Sequence, residues 1–318
     1  MPNACFIAPD WLIDKVSDVL IPLCAEKNID LDCHKFSVAA DKFSQIYRSY
    51  KNVITWGFKM PPDWYTDGGR NVLFIENGYL RQRSGVYIDD QGFFINSSIV
   101  KGREWVYPFS DAEWDQLVDH VESHYDHWHW AMEGNPDGPI FVAIQQKNDA
   151  PCKYHFAQRK KDADDPIDLL LYFCHQYLPD REVIVKPHPR FLEEWSEKDS
   201  LYKSAYFRKN WSVFEETDAC EILTKCSALV TINSTLATEA QFLGIPVAVL
   251  GEGLFSKSDT VLDCSKDPEK LAGVLSFKPD LYKSAAYLYA VFRHHILYDK
   301  FADLIKANKC FLRWRAKA

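Results

Sequence analysis

The chain has 318 residues, a formal net charge of −8 and no run of about 18 apolar residues, which excludes a membrane-spanning helix and counts against a protein that coats nucleic acid. Hydrophobic residues make up 47% and charged residues 26%, a globular balance, and the length suits two domains of roughly 150 residues. Nine cysteines without a CxxC pair exclude a zinc ribbon and a thioredoxin-like motif and fit a reducing cytoplasm, and the opening MPNACFIAPDWL lacks the basic and apolar regions of a secretory signal.

In chain order, residues 4–8 (ACFIA) form a short apolar run before Pro-Asp and a helical pattern over 11–25, which reads as strand, turn, helix. Strands are expected at 52–56 (NVITW) and 71–76 (NVLFIE), the second ending at the turn signal Asn77-Gly78. Residues 86–96 alternate around DDQG and read as a hairpin. Ser110 with Glu113 is a capping box opening a long helix over 110–132. The breaker cluster EGNPDGP at 133–139 marks a lobe boundary, dividing the chain into 1–135 and 136–318. Beyond it, strands at 139–145, 183–186, 228–232 and 246–250 alternate with helices at 166–177, 220–226 and 235–243, and a helical tail runs from Asp280. The fold class is therefore α/β, with two Rossmann-like lobes and a cleft between them, and ligand-binding residues are sought just past the carboxyl ends of the strands.

Four groups stand there. Lys186-Pro187-His188-Pro189 follows the strand VIVK, and two prolines fix the backbone around one imidazole that can donate to a phosphate or a base; the plain alternative is a structural turn. Ser234 and Thr235 open a helix, where hydroxyls and free N–H groups hold an anion or simply cap the helix. Glu239, one turn on, can reach a ribose hydroxyl or be an ordinary surface glutamate. Glu76 ends a strand beside a Gly turn and is followed by Arg81 and Arg83, which suit anionic groups. Gln145 and Asp149 follow the strand PIFVAI. Lone carboxylates are mostly solvated surface groups, but Glu76 and Asp149 paired across a cleft suit glycosyl transfer, which needs a base or a nucleophile. Of His120, His124, His127 and His129 the first three fall at i, i+4, i+7 on one helical face, but acidic residues and Trp interleave and no HExxH occurs, so a polar face is read and no metal.

Together the groups resemble the capsule-polysaccharide synthesis family, whose best-known members transfer Kdo (3-deoxy-manno-octulosonic acid) from CMP-Kdo. The matching elements are ENGYLR from Glu76, DDQG from Asp89, Gln145 with Asp149, Lys186 to Pro189, and Ser234-Thr235 with Glu239 and GIPV. Asn77 stands where the family has a second acidic residue, and GEGLF at 251–255 replaces a GWG-like element. The resemblance implies a GT-B glycosyltransferase using a nucleotide sugar without metal or other cofactor. It implies that His188, Ser234 and Thr235, with Lys186 and Gln145, hold the donor, that Glu239 holds the ribose, and that Glu76 and Asp149 are the catalytic carboxylates. The first lobe, with Arg81 and Arg83, would take a glycan or glycolipid acceptor.

Two rival readings stay open. A phage-type enzyme glycosylating hydroxymethylated DNA would share the fold but need a basic groove, which the charge of −8 disfavours. A non-catalytic nucleotide-sugar-binding subunit would have no use for both carboxylates. The basic, amphipathic tail LIKANKCFLRWRAKA permits peripheral membrane contact or is a solvated final helix.

Overall fold

The computed structural model describes residues 2–39, 42–57, 65, 69–80, 84–106, 108–125, 127–156, 165–188, 204–214 and 218–318. The chain forms two compact units, Met1–Gly102 with Val291–Ala318, and Arg103–Ala290. The first unit contains β1 (Ala4–Ala8), β2 (Leu31–Lys35), β3 (Asn52–Trp56), β4 (Asn71–Asn77) and β5 (Gly85–Asp89). The second contains β6 (Ile140–Ala143), β7 (Val183–Lys186), β8 (Trp211–Val213), β9 (Ala228–Thr231), β10 (Val247–Val249) and β11 (Leu262–Asp263). The chain then returns to the first unit as β12 (His295–Leu297).

The first sheet runs β12-β5-β4-β3-β1-β2, with β1 to β4 parallel and β5 antiparallel to both β4 and β12. ACFIA becomes the inner strand β1, with all five residues buried, as a continuous apolar run in a parallel sheet requires. The edge strand β2, LDCHK, is mostly half-buried and carries no apolar run, so its sequence does not announce it. The helix Asp10–Ala25 lays Leu12, Ile13, Val16, Leu20 and Leu23 on a core that also takes in Ile54, Leu73, Ile75, Val86 and Ile88.

The expected hairpin around DDQG is absent. The antiparallel turn lies between β4 and β5, and past Asp89 the chain enters the 3-10 turn Phe94–Asn96 and the helix Ser98–Gly102. The reason is Asp89 itself. Its Oδ1 accepts from the Gln91 and Gly92 N–H groups, and its Oδ2 from the Ser98 N–H, the Ser98 hydroxyl and the Tyr87 hydroxyl, which folds the segment onto one buried carboxylate. The capping box forms as expected: Ser110 Oγ accepts from the Glu113 N–H and Glu113 Oε2 from the Ser110 N–H. Its helix, Asp111–Glu122, stops ten residues short of the expected end, and His127, Ala131 and Glu133 beyond it have positive φ.

The division also differs from the expected 135/136. Within EGNPDGP, a Cβ at Gly134 would lie 2.2 Å from the Cys226 carbonyl oxygen, and one at Gly138 would lie 2.0 Å from that of Lys225. These glycines serve close backbone packing inside the second unit rather than a linker. The tail, in turn, belongs to the first unit. In its last helix, Lys309–Lys317, Cys310, Phe311 and Trp314 are buried, Arg313 makes a two-pronged pair with Asp90, and Arg315 donates to the Leu23 carbonyl. Internal packing therefore accounts for the amphipathic pattern of the tail. Among the described residues, no helix is long and apolar enough to cross a membrane.

Trp314 ties this return to the sheet. Its indole N–H donates to the Asn71 carbonyl and its own carbonyl accepts from the Asn71 amide. Replacing this fully buried ring with Ala should lower stability by about 3–5 kcal/mol, whereas Leu312→Ala on the exposed side should change it by about 0.5 kcal/mol or less. Urea unfolding midpoints of the two variants check this.

Candidate functional site

The second sheet runs β11-β10-β9-β6-β7-β8, all parallel. Counted from β6, this is the 3-2-1-4-5-6 order of a dinucleotide-binding sheet, and its topological switch lies between β6 and β9, where such folds bind ligands. Val249, Thr231, Ala143 and Lys186 stand in register across β10, β9, β6 and β7. Two residues past that row come Gly251, Asn233, Gln145 and His188. Three of the four expected groups therefore meet at one edge of one sheet.

Gln145 acts inward. Its buried Oε1 accepts from the Asn233 N–H at 2.6 Å and from the Thr231 hydroxyl at 3.4 Å, bridging the switch point. Lys186 is buried at the end of β7 and His188 is half-buried two residues on, while Pro189 lies outside the described residues. Ser234 and Thr235 are half-buried, and Ser234 Oγ accepts from the Leu236 N–H in the turn that leads into the helix Leu236–Phe242, whose N-cap residue is Thr235. Asp149 is half-buried, and its carbonyl takes the first bond of the helix Ala150–Tyr154, from Lys153. Glu239 is buried, not a surface group. Its Oε1 accepts from the Tyr125 hydroxyl at 2.9 Å and its Oε2 from the Thr238 hydroxyl at 3.0 Å. Burial and this carboxylate both raise the Tyr125 pKa, so the phenol stays a donor.

One residue of this edge was passed over. Asn233 is 4% exposed, and neither polar atom of its amide has a hydrogen-bond partner among the described residues. It faces Gly253, where a Cβ would lie 2.0 Å from Asn233 Nδ2. A buried amide left unpaired costs about 1–3 kcal/mol, and this one stands beside the switch point. The available signal was its position, two residues beyond the apolar strand β9. The loop containing Gly253 is held from two sides: the Gly251 N–H donates to the Ile232 carbonyl and the Glu252 N–H to that of His155.

The other expected residues belong to the first unit. Glu76 is half-buried on β4, its Oε1 accepting from the Asn77 N–H, and Gly57 at the end of β3 lies against its Oε2, where a Cβ would approach to 2.8 Å. Gly78 of the same motif makes room for a residue from far along the chain. A Cβ there would meet His295 Cε1 at 2.5 Å, and Gly85 is pressed on by the same ring. Arg81 and Arg83 lie outside the described residues. Asp89, Asp90 and Cys310 gather closely enough to invite a cation, but Asp89 already accepts five hydrogen bonds and Asp90 pairs with Arg313, so the cluster is structural. The helix ends at Glu122, before His124 and His127, so the expected helical face is cut short, although the His120 and His124 rings still meet at 4.5 Å.

Residues 120–301, which carry this whole sheet, match the model of the capsule polysaccharide biosynthesis proteins. The chain belongs to the capsule polysaccharide biosynthesis family. Protein FixF of Sinorhizobium fredii is 29% identical over 125 residues, which are 39% of this chain and 29% of that protein, so the chain spans less than a third of the relative's length. Among solved structures, two of Thermosulfurimonas dismutans KpsC are similar. The β-Kdo 2,7 transferase has a TM-score of 0.56 at 15% identity over 90% of this chain and 89% of that one. The β-Kdo 2,4 transferase has 0.53 at 13% identity over 90% of each. At such identities the likeness shows the fold, which is the GT-B type with two Rossmann-like units.

His155 provides a check on the family's candidate site. Burial pushes its pKa from the usual 6.5 down to about 4. The unfolded chain then binds more protons than the folded one between those values, so stability is lost as pH falls from 6.5 to 4, by about 3 kcal/mol. In His155→Phe the unfolding midpoint should change less across that window than in the wild-type protein, as urea titrations at fixed pH values would show.

Proposed function

We propose that this chain is a glycosyltransferase that takes its sugar from a nucleotide-activated donor. The observation that carries the reading is the row Gly251, Asn233, Gln145 and His188 at the switch point of a 3-2-1-4-5-6 sheet, inside the segment that matches the family. Lys186, His188, Ser234 and Thr235 are assigned to the donor phosphate, with Asn233 beside them and Glu239, backed by Tyr125, on the ribose side. Fixed donors of this kind stabilise the charge that develops as the nucleotide leaves, so no metal is required. Asp149 or Glu76 supplies the carboxylate, either attacking the anomeric carbon or taking the proton of the acceptor hydroxyl.

The similar KpsC proteins are Kdo transferases, which supports a Kdo-type donor, and the motif resemblance adds CMP as its carrier and a glycan or glycolipid as acceptor. A ligand that binds the native state raises its melting temperature, so a thermal-shift panel of CMP, UDP, GDP and ADP tests the donor. Stabilisation by CMP alone is expected, and stabilisation by UDP instead would remove the Kdo assignment while leaving the glycosyltransferase.

Asp149→Asn should reduce transfer by at least about a hundredfold, the scale of a lost acid–base group, with the nucleotide shift unchanged and wild-type turnover unaffected by EDTA. Wild-type turnover in Asp149→Asn would take the catalytic role from that residue. Asn233→Leu, similar in size and without polar atoms, should fold at least as stably as the wild-type protein yet lose the nucleotide shift. Paired unfolding and thermal-shift measurements on that variant separate binding from folding.

A further inference from the structure

At the carboxyl edge of the first sheet, aromatic rings gather beside Glu76. The order β2-β1-β3-β4 places that sheet's own switch between β1 and β3. Trp56 ends β3 and is almost buried, while Trp11 sits in the first turn of the helix after β1 and is 48% exposed. The two rings meet edge to face at 5.4 Å, and Trp11 meets Tyr298 in the same way at 6.3 Å. Tyr298 follows β12, whose last residue Leu297 pairs with Gly85, so it arrives at the edge where β4 ends. Lys15 Nζ lies over its ring at 3.8 Å. Next to Trp56, Gly57 has φ 57° and carries no side chain, which leaves Glu76 Oε2 in the space a Cβ would crowd. Burial and the Glu76 charge both raise the Tyr298 pKa, so the phenol stays protonated, and its hydroxyl has no hydrogen-bond partner among the described residues.

A half-exposed indole held by a buried one is a rigid apolar surface, presented at little cost in conformational freedom. A pyranose has the complementary shape, with a face of C–H groups and a rim of hydroxyls. We infer that Trp11, seated on Trp56 and braced by Tyr298, is the platform on which a neutral pyranose of the acceptor stacks, with Glu76 accepting from one sugar hydroxyl. On the Glu76 side of the platform a sugar carboxylate would meet like charge, so a hydroxyl is favoured there, while Lys15 lies over the Tyr298 ring. Calling the ligand an acceptor rests on the glycosyltransferase reading, whereas the binding itself does not.

The plain alternative is that Trp11 only closes the edge of the core. It predicts lost stability in Trp11→Ala without lost sugar binding. The test is calorimetric titration of the whole protein, without nucleotide, with the methyl β-glycosides of glucose, galactose and N-acetylglucosamine, and with methyl β-glucuronide. At least one neutral glycoside should saturate in the millimolar range and the glucuronide should bind more weakly. Trp11→Ala should weaken the neutral sugar at least tenfold and Trp11→Phe should restore part of the loss, with unchanged circular dichroism and an unchanged nucleotide thermal shift. Equal binding by wild-type and Trp11→Ala protein, or no neutral glycoside binding up to about 100 mM, overturns the inference. Should Trp11→Ala not fold, Trp11→Gln replaces it, and wild-type affinity in that variant is equally fatal. Glycoside binding with no turnover of any sugar nucleotide would instead sink the glycosyltransferase reading and leave this site standing.

Discussion

A single amide oxygen organises the ligand edge of the second unit. Gln145 Oε1 reaches across the switch point to the Asn233 N–H at 2.6 Å, and the loop after β9 takes its course from that bond. Ser234 follows, with its N–H turned back to the Thr231 hydroxyl, and then the helix that carries Glu239. Remove the acceptor and a buried N–H is stranded between β6 and β9, where the strand order of this all-parallel sheet reverses. Gln145 thus shapes the site from beneath, while Asn233, which its bond positions, keeps an amide in reserve.

Buried polar groups of this molecule fall into two kinds. Asp89 collects five donors and sets the shape of a loop, with burial raising its pKa and the neighbouring His294 opposing that rise. Asn233 and the Tyr298 hydroxyl are equally enclosed but have no partner among the described residues. A satisfied network rigidifies, and an unsatisfied group invites something to complete it. By this criterion the DDQG element is scaffold, whereas the loop after β9 and the turn after β12 hold polar atoms that no described residue completes.

Much of the second unit was legible because its inner strands are short apolar runs that end in punctuated turns. VIVK is a strand as read, and ALVTI and PVAVL hold strands one or two residues shorter. The polar edge strand β2 and the three-residue strand β12 were not, since pairing with a neighbour rather than composition makes them strands. EGNPDGP misled because Gly and Pro signal both linkers and tight packing, and only the approach of the Cys226 and Lys225 carbonyls decides between them. Gln145, His188 and Ser234 were singled out by position past strand ends, and they do stand just past β6, β7 and β9. The partner of Gly78 was beyond reach, because His295 arrives from the far end of the chain.

That late arrival has a consequence for how the protein is made. β5 pairs with β12 across roughly 200 residues of intervening chain, nearly all of it the second unit. A ribosome adding about 5–20 residues per second leaves the first sheet without its outer strand for about 10–40 s, while the inserted unit, continuous in sequence, emerges whole. During that interval the outer edge of β5 offers unpaired backbone groups, and the core face that Phe311 and Trp314 later cover stands open to water. The nascent first unit is therefore the part of this protein with the greatest call on chaperones, and slow translation of the second unit would lengthen its exposure.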